Sequence, residues 1–530
     1  MTRVLMVGTD RKTFDSGSAV HARMLSYAQF FDELHIIVFA KKSLGFKEEN
    51  IGGKLFLYPT QSRTKVGYMC DAIKVGKRVL RGPAPSLPRG GAWIVSTQDP
   101  FETGLVGVRL SRLFGAKLQV QLHTDFLSPY FKQGGLLNML RRAVGEYTVL
   151  FADRIRVVSS RIQKGLSERL HIAPDKIDVV PIGVDVKVVA RNTTSGLLQT
   201  QYPQFEQTVL MTSRLESEKN IAWAIASWKK VLLQFPKAGL VIVGEGTLKG
   251  VLQAQVAKVG FSGSVVFVPW QKELSLYFAS ATAFLSTSWY EGYGMTLVEA
   301  ASAKCPIITT NVGLVGDVLS NESVILIDPE KKESLSQGVI AVLGSTELAR
   351  TRAERAFADI SGRLISHDLL KPLIKKSFET LAGQSGIEKK SLFALAFRLL
   401  HVDSLLGMLV KYVISGGTAA VVDLGTLYLF TDIFHIWYVT SSVLAFLIAF
   451  GISFLMQKFW TFRDHGTDGV HKQAFLYLAV SVFNLFLNTA LVYALVEYTG
   501  IHYLPAQIIT SALIACESFF VYKFIIFARE

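Results

Sequence analysis

The hydrophobic pattern of the chain changes near residue 400. Before that point, short apolar runs alternate with longer amphipathic stretches, which is typical of buried parallel strands separated by helices. A first series of runs comprises Val4–Val7, Leu34–Ala40, Trp93–Val95, Leu118–Leu122 and Ile155–Val158. A second series comprises Val209–Met211, Leu240–Val243, Val265–Val268, Ala283–Leu285, Pro306–Thr309 and Val324–Ile327. We therefore predict an α/β fold with two doubly wound domains.

After residue 400, four apolar stretches are each long enough to cross a bilayer core, which takes about 20 helical residues. They run over Tyr412–Phe434, Trp437–Gln457, Phe475–Val496 and Leu504–Phe527. The cationic residues lie where spans one and three begin and where spans two and four end: Lys411, Lys458, Arg463, Lys472, Lys523 and Arg529. Because positive charge is retained on the cytoplasmic side, we predict a multi-pass inner-membrane protein with both termini in the cytoplasm.

The domain boundaries follow from these patterns. The polar stretch Arg191–Gly196 suits a hinge between the two series of strands. We predict α/β domains at residues 1–190 and 191–365, crossing or interfacial helices and a linker at 366–410, and an all-α domain of four transmembrane helices at 411–530. Residues 385–400 mix cationic and apolar side chains as an interfacial helix does, and a plain tether is the alternative.

Charge and composition narrow the choice of partners. The chain has a net charge of +14, and its last 130 residues contain six Lys or Arg and eight Asp or Glu, so the positive excess lies in the first 400 residues. That excess suits anionic lipid, phosphorylated substrates or nucleic acid. No nucleic-acid recognition module is visible in the sequence, so we expect no nucleic-acid partner. The three widely spaced cysteines indicate neither a disulfide framework nor a metal site.

The segment Glu291–Ala300 is the most informative motif. It follows a predicted strand and is expected to begin a helix at about Met295 or Thr296. Glycines at 292 and 294 let backbone N–H groups approach a ligand closely, and a helix N-terminus favours a diphosphate. Glu299 then lies one turn into the helix, where it can accept hydrogen bonds from a ribose, while Glu291 is free to face a sugar.

This spacing resembles the E-x7-E signature of retaining GT-B glycosyltransferases of family four. The loop Thr212–Asn220 resembles the family's diphosphate-clamping loop, and Val243–Gly246 resembles its nucleotide-side turn. The resemblance implies a GT-B fold of two Rossmann-like domains, a UDP-type or GDP-type nucleotide sugar, and a diphosphate clamp made by Arg214 and Lys219. The donor-binding residues that it implies in the second domain are Gly244, Glu245, Gly246, Gly294, Met295, Thr296 and Glu299.

The first domain also carries family-like residues. Gly17 and Ser18 resemble the glycine-rich loop after strand one, with one of the usual two glycines replaced by serine. His123, at a strand end, resembles the family's histidine near the donor sugar, and Pro181–Asp185 resembles the segment that closes the first domain. The resemblance places the acceptor site in this domain. An ordinary buried histidine is the alternative for His123.

A mechanism follows from these assignments. A departing nucleoside diphosphate accumulates negative charge, which Arg214, Lys219 and a helix N-terminus would stabilise. With no metal-ligand cluster in the sequence, we expect metal-independent transfer without a cofactor. The resemblance implies retention of the anomeric configuration. If the acceptor attacks the sugar from the same face that the diphosphate leaves, no protein nucleophile is needed. Glu291 is therefore predicted to position the sugar.

Two segments of the first domain are suited to contact anionic lipid. One is a cationic cluster, made of Lys65, Lys74, Lys77, Arg78, Arg81 and Arg89. The other is Phe131–Arg142, which mixes leucines with two arginines. A solvated charged face and an ordinary packed helix are the respective alternatives.

The membrane region contains an internal repeat. The matching positions are Lys411 and Lys472, Asp423 and Asn484, and Lys458–Phe462 and Lys523–Phe527. We therefore predict two tandem helical hairpins. Asp423 and Glu517 lie within apolar runs, where a carboxylate is costly and usually functional. Structural hydrogen bonds to Asn484, Asn488 or Ser453 are the alternative for these two carboxylates.

With Ser415–Gly417 and Gln457–Phe462, this region resembles the GtrA-like family of four-helix membrane proteins, which are proposed to help move polyprenyl-phosphate-linked sugars across the bilayer. Gln457 and Lys458 stand where the family usually has Asn and Arg. The resemblance implies a lipid-phosphate contact, and a homo-oligomer formed through the membrane domain is compatible with it. The candidate residues are Asp423, Gln457, Lys458, Asn484, Glu517 and Lys523.

The two resemblances together imply one pathway. A sugar moves from a nucleotide donor to a lipid phosphate or lipid-linked saccharide at the cytoplasmic face, and the membrane domain holds or translocates the product. Two alternatives stay open: a glycosyltransferase whose membrane domain is only an anchor, and a lipid-linked-sugar flippase with a non-catalytic sugar-binding domain.

Overall fold

The computed structural model describes residues 2–82, 93–184, 196–383, 405–466 and 469–527. The chain forms two compact units, Met1–Lys389 and Lys390–Glu530. Five features of the sequence lie outside the described residues: Arg89, Asp185, the hinge residues 191–195, the predicted interfacial helix at 385–400 and Arg529.

The first α/β domain is built on an eight-stranded sheet. Its strands are β1 (Arg3–Gly8), β2 (Glu33–Val38), β3 (Glu49–Ile51), β4 (Leu55–Pro59), β5 (Trp93–Thr97), β6 (Lys117–Leu122), β7 (Arg154–Val157) and β8 (Ile177–Val179). Its helices are α1 (Ala19–Ala28), α2 (Tyr68–Arg81), α3 (Glu102–Phe114), α4 (Leu136–Phe151) and α5 (Ser160–Leu170). The sheet order is β3-β4-β2-β1-β5-β6-β7-β8, and only the β3–β4 pair is antiparallel. Helices cover both faces, so the central strands are mostly apolar, although β6 and β7 also carry the buried polar residues Gln119, Gln121 and Arg156.

The second α/β domain repeats this plan with six parallel strands. They are β9 (Gln207–Thr212), β10 (Ala238–Val243), β11 (Val265–Val268), β12 (Ala283–Ser286), β13 (Ile307–Thr309) and β14 (Ile325–Leu326), in the order β11-β10-β9-β12-β13-β14. The helices are α6 (Leu197–Gln201), α7 (Ile221–Gln234), α8 (Lys249–Lys258), α9 (Ser275–Ser280), α10 (Met295–Ser302), α11 (Ser334–Gly344) and α12 (Thr346–Arg363). A core around the fully buried Trp228 joins α7, α11 and the sheet.

All eleven strands expected from the apolar runs are present, and three further strands were missed. β3 and β8 have three residues each, too few to stand out in the sequence. β4 alternates buried and half-buried side chains, because it pairs with the antiparallel edge strand β3. Its sequence, Leu55–Pro59, is nevertheless a short continuous apolar run, so the prediction overlooked it rather than lacked a signal for it.

Helix α13 (His367–Gly383) returns from the second domain to the first. Its Leu370, Ile374, Phe378 and Leu381 belong to the same buried cluster as Val4 and Met6 of β1. The C-terminal helix of the soluble unit therefore forms part of the first domain's core and covers one side of its sheet.

The membrane unit contains four long apolar helices. They are α14 (Leu405–Tyr428), α15 (Tyr438–Leu455), α16 (Val470–Thr499) and α17 (Tyr503–Val521). With their continuations, four segments are long and apolar enough to cross a membrane: Gly407–Ile433, Tyr438–Thr461, Val470–Thr499 and Leu504–Ile526. Helices α14 and α16 begin five or more residues before the predicted spans, because helical hydrogen bonding continues beyond the apolar stretch. Large apolar side chains such as Val421 and Phe486 are exposed, as expected of a lipid-facing surface.

The two halves of the membrane unit share a local distortion. Helices α15 and α17 each continue into a π-helical segment, Met456–Thr461 and Tyr522–Ile526. These segments hold the matching sequences that follow Lys458 and Lys523. The rings of Phe462 and Phe527, which end the two segments, stack with their centroids 5.3 Å apart. The sequence repeat thus corresponds to two similar backbone segments in contact.

Candidate functional site

The loop that follows β12 contacts the first domain through a glycine. A Cβ atom added to Gly292 would overlap the backbone carbonyl oxygen of His123. Only glycine permits this approach, which brings the end of β6 in the first domain beside Glu291 in the second. The cleft between the two α/β domains therefore holds residues from both predicted halves of the site.

Helix α10 begins where the sequence predicts. Gly294 precedes it in the left-handed region with φ 88°, and Met295 is the first helical residue. The Gly313 backbone packs against this turn, where an added Cβ would lie 2.5 Å from the Tyr293 carbonyl oxygen. Thr296 lines a small pocket with Ser213, Lys219 and Glu291. The N-terminus of α10 thus opens on a polar pocket, as an anion-binding helix end does.

Lys219 and Glu291 come together because their loops follow neighbouring strands, β9 and β12. The Thr287 hydroxyl donates to the Lys219 carbonyl oxygen over 2.7 Å. The Trp289 amide donates to the Glu218 carbonyl oxygen over 2.8 Å. The Lys219 ammonium lies 2.5 Å from the Glu291 carboxylate, which also accepts a 2.8 Å hydrogen bond from Ser288. Glu291 is therefore engaged by two donors rather than free.

The remaining loop residues surround this pair. Arg214 donates to Glu218 over 2.8 Å, and 74% of its side chain is exposed. Gly244 and Gly246 follow β10, and a Cβ on either would overlap the backbone of the Arg214 loop. The Glu245 side chain pairs with Lys249 over 2.9 Å. The close approach of these two loops requires the glycines that the sequence shows.

Glu299 lies on α10, five residues into the helix. The surrounding protein removes water from its carboxyl group and, together with the nearby Glu273 carboxylate, raises its pKa. A carboxylate that has lost its water is stabilised when it accepts a hydrogen bond. This property suits contact with the hydroxyl groups of a ribose.

His123 borders a cavity in the first domain. Loss of water around the ring, together with the guanidinium groups of Arg156 and Arg23, lowers the pKa of His123 below its ordinary value, so the ring is neutral at physiological pH. The residue as a whole remains exposed. Ser18 caps helix α1 by accepting a hydrogen bond from the His21 amide. Gly17 and Ser18 line none of the pockets described for this unit.

Contacts across the cleft include residues that the sequence did not single out. Asp317 of the second domain accepts hydrogen bonds from the first two backbone amides of α5, over 2.7 and 3.2 Å. The rings of Tyr130 and Trp289 lie 4.8 Å apart, and Phe131 packs on Tyr290. No motif marks such residues, because their partners lie more than 150 positions away in the chain.

The two predicted lipid-facing segments differ in the structure. On α2, Lys74, Lys77, Arg78 and Arg81 line one shallow surface depression. In the second segment, Phe131 is buried, and Arg142 is buried in an ion pair with Glu146, as in an ordinary packed helix. Leu137 and Leu140 of that segment remain exposed. The cationic surface of α2 stays a candidate for lipid contact.

In the membrane unit, Lys458 is fully buried. Its ammonium donates to Asp464 over 2.6 Å and to Gln473 over 2.7 Å. Burial alone would raise the pKa of Asp464, but the hydrogen bonds from Lys458 and Gln473 outweigh it and hold that pKa below its ordinary value. Gln457 is also buried, whereas Lys523 contacts the Met408 sulfur.

The intramembrane polar residues form separate contacts. Asn484 donates to Ser518 over 2.6 Å, and Ser518 donates to Glu517 over 3.3 Å. Asn488 and Gln507 share an amide pair, and Ser453 bonds Tyr477. Within residues 405–466 and 469–527, no hydrogen bond joins Asp423 to the three residues proposed as its structural partners.

Three family models match the chain. Residues 16–188 match Glycosyltransferase Family 4, residues 199–359 match Glycosyl transferases group 1, and residues 411–527 match GtrA/DPMS, transmembrane domain. These three ranges cover both α/β domains and the membrane unit. The matches account for most of the described residues.

Individual proteins show the same likeness at low identity. An alpha-monoglucosyldiacylglycerol synthase of Streptococcus pneumoniae is 25% identical over 242 residues, which are 43% of this chain and 54% of that protein. An N-acetylgalactosaminyltransferase of Campylobacter jejuni, named for an N-acetylgalactosamine-N,N'-diacetylbacillosaminyl-diphospho-undecaprenol acceptor, is 23% identical over 50% of this chain and 72% of its own length. The chain spans about half the length of the first of these two relatives.

A solved structure confirms the predicted fold. Anabaena HepE, crystallised in complex with UDP-glucose, superposes with a TM-score of 0.53 over 72% of this chain and 100% of its own, at 19% sequence identity. At that identity, the likeness concerns the fold. The two α/β domains therefore have the arrangement that the sequence predicted.

Proposed function

The chain contains a glycosyltransferase of group 1 and family four followed by a GtrA/DPMS transmembrane domain, and from this we propose that it transfers a sugar from a nucleotide donor to a lipid carrier. The acceptor is a polyprenyl phosphate or a lipid-linked saccharide, presented at the cytoplasmic face of the inner membrane. Transfer is metal-independent and retains the anomeric configuration. The membrane domain holds or translocates the glycolipid product.

The observation that carries this proposal is the cluster at the N-terminus of α10. Lys219, Glu291 and Thr296 line one pocket, and the backbone amides of α10 begin there. A donor diphosphate bound beside this small pocket, at the start of α10, receives positive charge from Lys219 and from the helix end. The same groups stabilise the negative charge that the diphosphate gains when it leaves.

The Lys219–Glu291 ion pair couples donor binding to sugar positioning. The two groups lie 2.5 Å apart and are mostly buried, with 14% and 18% of their side chains exposed. A diphosphate competes with Glu291 for the Lys219 ammonium. When Lys219 turns to the phosphate, the Glu291 carboxylate becomes available to the hydroxyl groups of the sugar. Glu291 then acts by hydrogen bonding rather than as a nucleophile.

A lipid acceptor is supported by the membrane domain and by two relatives. The Streptococcus pneumoniae relative is named for a diacylglycerol glycolipid, and the Campylobacter jejuni relative for an undecaprenol-linked acceptor. Four membrane-spanning helices in the same chain keep such an acceptor close to the catalytic unit. The cationic surface of α2 adds attraction to anionic lipid.

The proposal predicts transfer of labelled sugar into an organic extract. Purified full-length protein is incubated with labelled UDP-sugars or GDP-sugars and either polyprenyl phosphate or a membrane lipid extract. Glu299→Ala removes a charged acceptor of hydrogen bonds, so it should weaken donor binding by about tenfold to a hundredfold. Glu347→Ala, an exposed carboxylate on α12, is the matched control. A folded protein that transfers label from none of these donors would contradict the proposal.

Asp423→Asn tests whether the membrane domain translocates the product. In proteoliposomes, transfer should continue, while labelled glycolipid in the opposite leaflet should appear about tenfold more slowly, because a charged hydrogen-bonding group is lost. Asp432→Asn, an exposed carboxylate at the end of the same span, is the control and should move lipid at the wild-type rate. If the wild-type protein moves no product between leaflets, the membrane domain is an anchor.

A further inference from the structure

A cavity of about 360 Å³ lies in the first domain between α1, α13 and the carboxyl ends of the central strands. Its volume falls within the range of ligand pockets, about 300–1,000 Å³. One wall is apolar and is formed by Met24, Phe31, Leu370, Ile374 and Phe378. The polar lining includes Gln121, His123, two arginines and two aspartates. The cavity is thus amphiphilic.

Arg156, on strand β7, is the central group of this polar lining. Its side chain is buried, with 7% of the residue exposed. One nitrogen donates to Gln121 over 3.3 Å, while Nε has no hydrogen-bond partner among the described residues. Its neighbour on the strand, Arg154, is neutralised by two 2.5 Å hydrogen bonds to Asp178. Tyr27 interacts with the Arg156 side chain, and the Asp178 carboxylate attracts it from beyond ion-pair distance. Within residues 2–82, 93–184 and 196–383, no salt bridge provides Arg156 with a direct carboxylate partner.

A buried guanidinium without a carboxylate is costly, because desolvation is not offset by an ion pair. Proteins retain such groups where a ligand supplies the missing charge. Arg23 of α1 lies close enough to act on both Arg156 and His123. Two cations therefore converge on one cavity from different elements.

Two carboxylates also line the cavity, and each accepts a hydrogen bond from a nearby backbone amide. Asp10 accepts a hydrogen bond from the Lys12 amide. Asp99 accepts one from the Phe101 amide over 2.8 Å. Neither carboxylate forms a salt bridge with Arg23 or Arg156 among the described residues. The cavity thus places two guanidinium groups, neither of them ion-paired to these carboxylates, next to an apolar wall.

We propose that Arg156 and Arg23 bind the phosphate group of the acceptor and that the adjoining wall of α1 and α13 receives its first hydrocarbon segment. This assignment rests on the proposed lipid acceptor and specifies where its headgroup lies. The neutral His123 ring borders the same cavity and adjoins the Gly292 loop, so a phosphate held here lies beside the donor cleft. Arginine suits this role because its planar fork matches phosphate oxygens.

Binding of a short prenyl phosphate to the full-length protein tests the proposal without requiring turnover. Dimethylallyl phosphate, dimethylallyl alcohol and inorganic phosphate are titrated by calorimetry. Wild-type protein should bind dimethylallyl phosphate more tightly than either fragment. Arg156→Met and Arg23→Gln should each weaken that binding by about tenfold or more, since each removes a charge-assisted contact. Arg109→Gln, an exposed arginine on α3 that lies outside the cavity, is the control.

Thermal unfolding separates a ligand role from a structural one. Arg156→Met removes a buried cation that has no ion pair, and it also removes the hydrogen bond to Gln121. These two effects oppose each other, so the protein should stay folded with a melting temperature within a few degrees of the wild-type value. UDP or GDP binding should be unchanged. Unchanged binding of dimethylallyl phosphate by the folded Arg156→Met protein would overturn the proposal. Equal affinity of the wild-type protein for inorganic phosphate would overturn the lipid assignment. Loss of dimethylallyl phosphate binding in Arg156→Met supports the site even if the protein transfers no sugar in the activity assay.

Discussion

Lys219→Ala is expected to lower the maximal rate of sugar transfer by a factor of about 10²–10³, the effect of removing one pre-positioned electrostatic group from a transition state. The Lys219 ammonium is mostly buried and 2.5 Å from Glu291, so it is already held in place before the donor binds. Its loss removes positive charge from the departing diphosphate. The rate is measured as labelled sugar entering the organic phase at saturating donor.

Lys229→Ala is the matched control for this experiment. Lys229 is an exposed residue on α7, and its loss removes the same charge from the same domain without touching the pocket. Arg214→Ala should act in the same direction as Lys219→Ala, because Arg214 lies in the same loop. A Lys219→Ala protein that transfers sugar at the wild-type rate would remove Lys219 from the mechanism.

Gly292→Ala is expected to lower transfer by about a hundredfold, because displacement of reacting groups by roughly 1 Å has that cost. The added methyl group would overlap the His123 carbonyl oxygen, which is backbone and cannot rotate away. The two domains must therefore separate at the point where Glu291 faces the first domain. The cores of both domains are untouched, so the melting temperature should change little.

Gly250→Ala controls for the loss of a glycine in the same domain. Gly250 lies on α8, and an added Cβ there meets no atom within 4 Å. Alanine is the better helix former, so this variant should be about 0.5–1 kcal/mol more stable and fully active. If Gly292→Ala transferred sugar as fast as Gly250→Ala, the contact between His123 and Gly292 would have no part in catalysis.

Much of the fold was predictable because the pattern of apolar and polar residues along the chain indicates which segments are buried. Continuous apolar runs mark strands that are covered on both faces, and all eleven such runs became strands. The edge strands β3 and β8 escape this rule because they have only three residues each, and β4 was overlooked although it is a short apolar run. The four spans were predictable because a bilayer requires long apolar helices. The residues at which these helices begin and end were not predictable, because helical hydrogen bonds continue into the polar residues beyond each apolar stretch.

The residues of the candidate site were also visible in the sequence, because the motif after β12 has a recognisable spacing. Their interactions were not visible. The ion pair between Lys219 and Glu291 joins positions 72 residues apart, and it forms only because β9 and β12 are neighbours in the sheet. Asp317 caps α5 from the other domain across 157 positions. Such pairs depend on strand order and domain packing, which a linear pattern does not specify.

The sequence by itself therefore determined the class of each segment: two α/β domains, four membrane spans and the loops that carry the donor motif. It did so because periodicity, glycine placement and apolar length act locally. Only the tertiary structure decided that Gly292 meets His123, that Lys219 holds Glu291 and that Arg156 faces a cavity without a carboxylate partner among the described residues. These properties depend on which distant residues become neighbours, and the free energy of a buried charge depends on those neighbours.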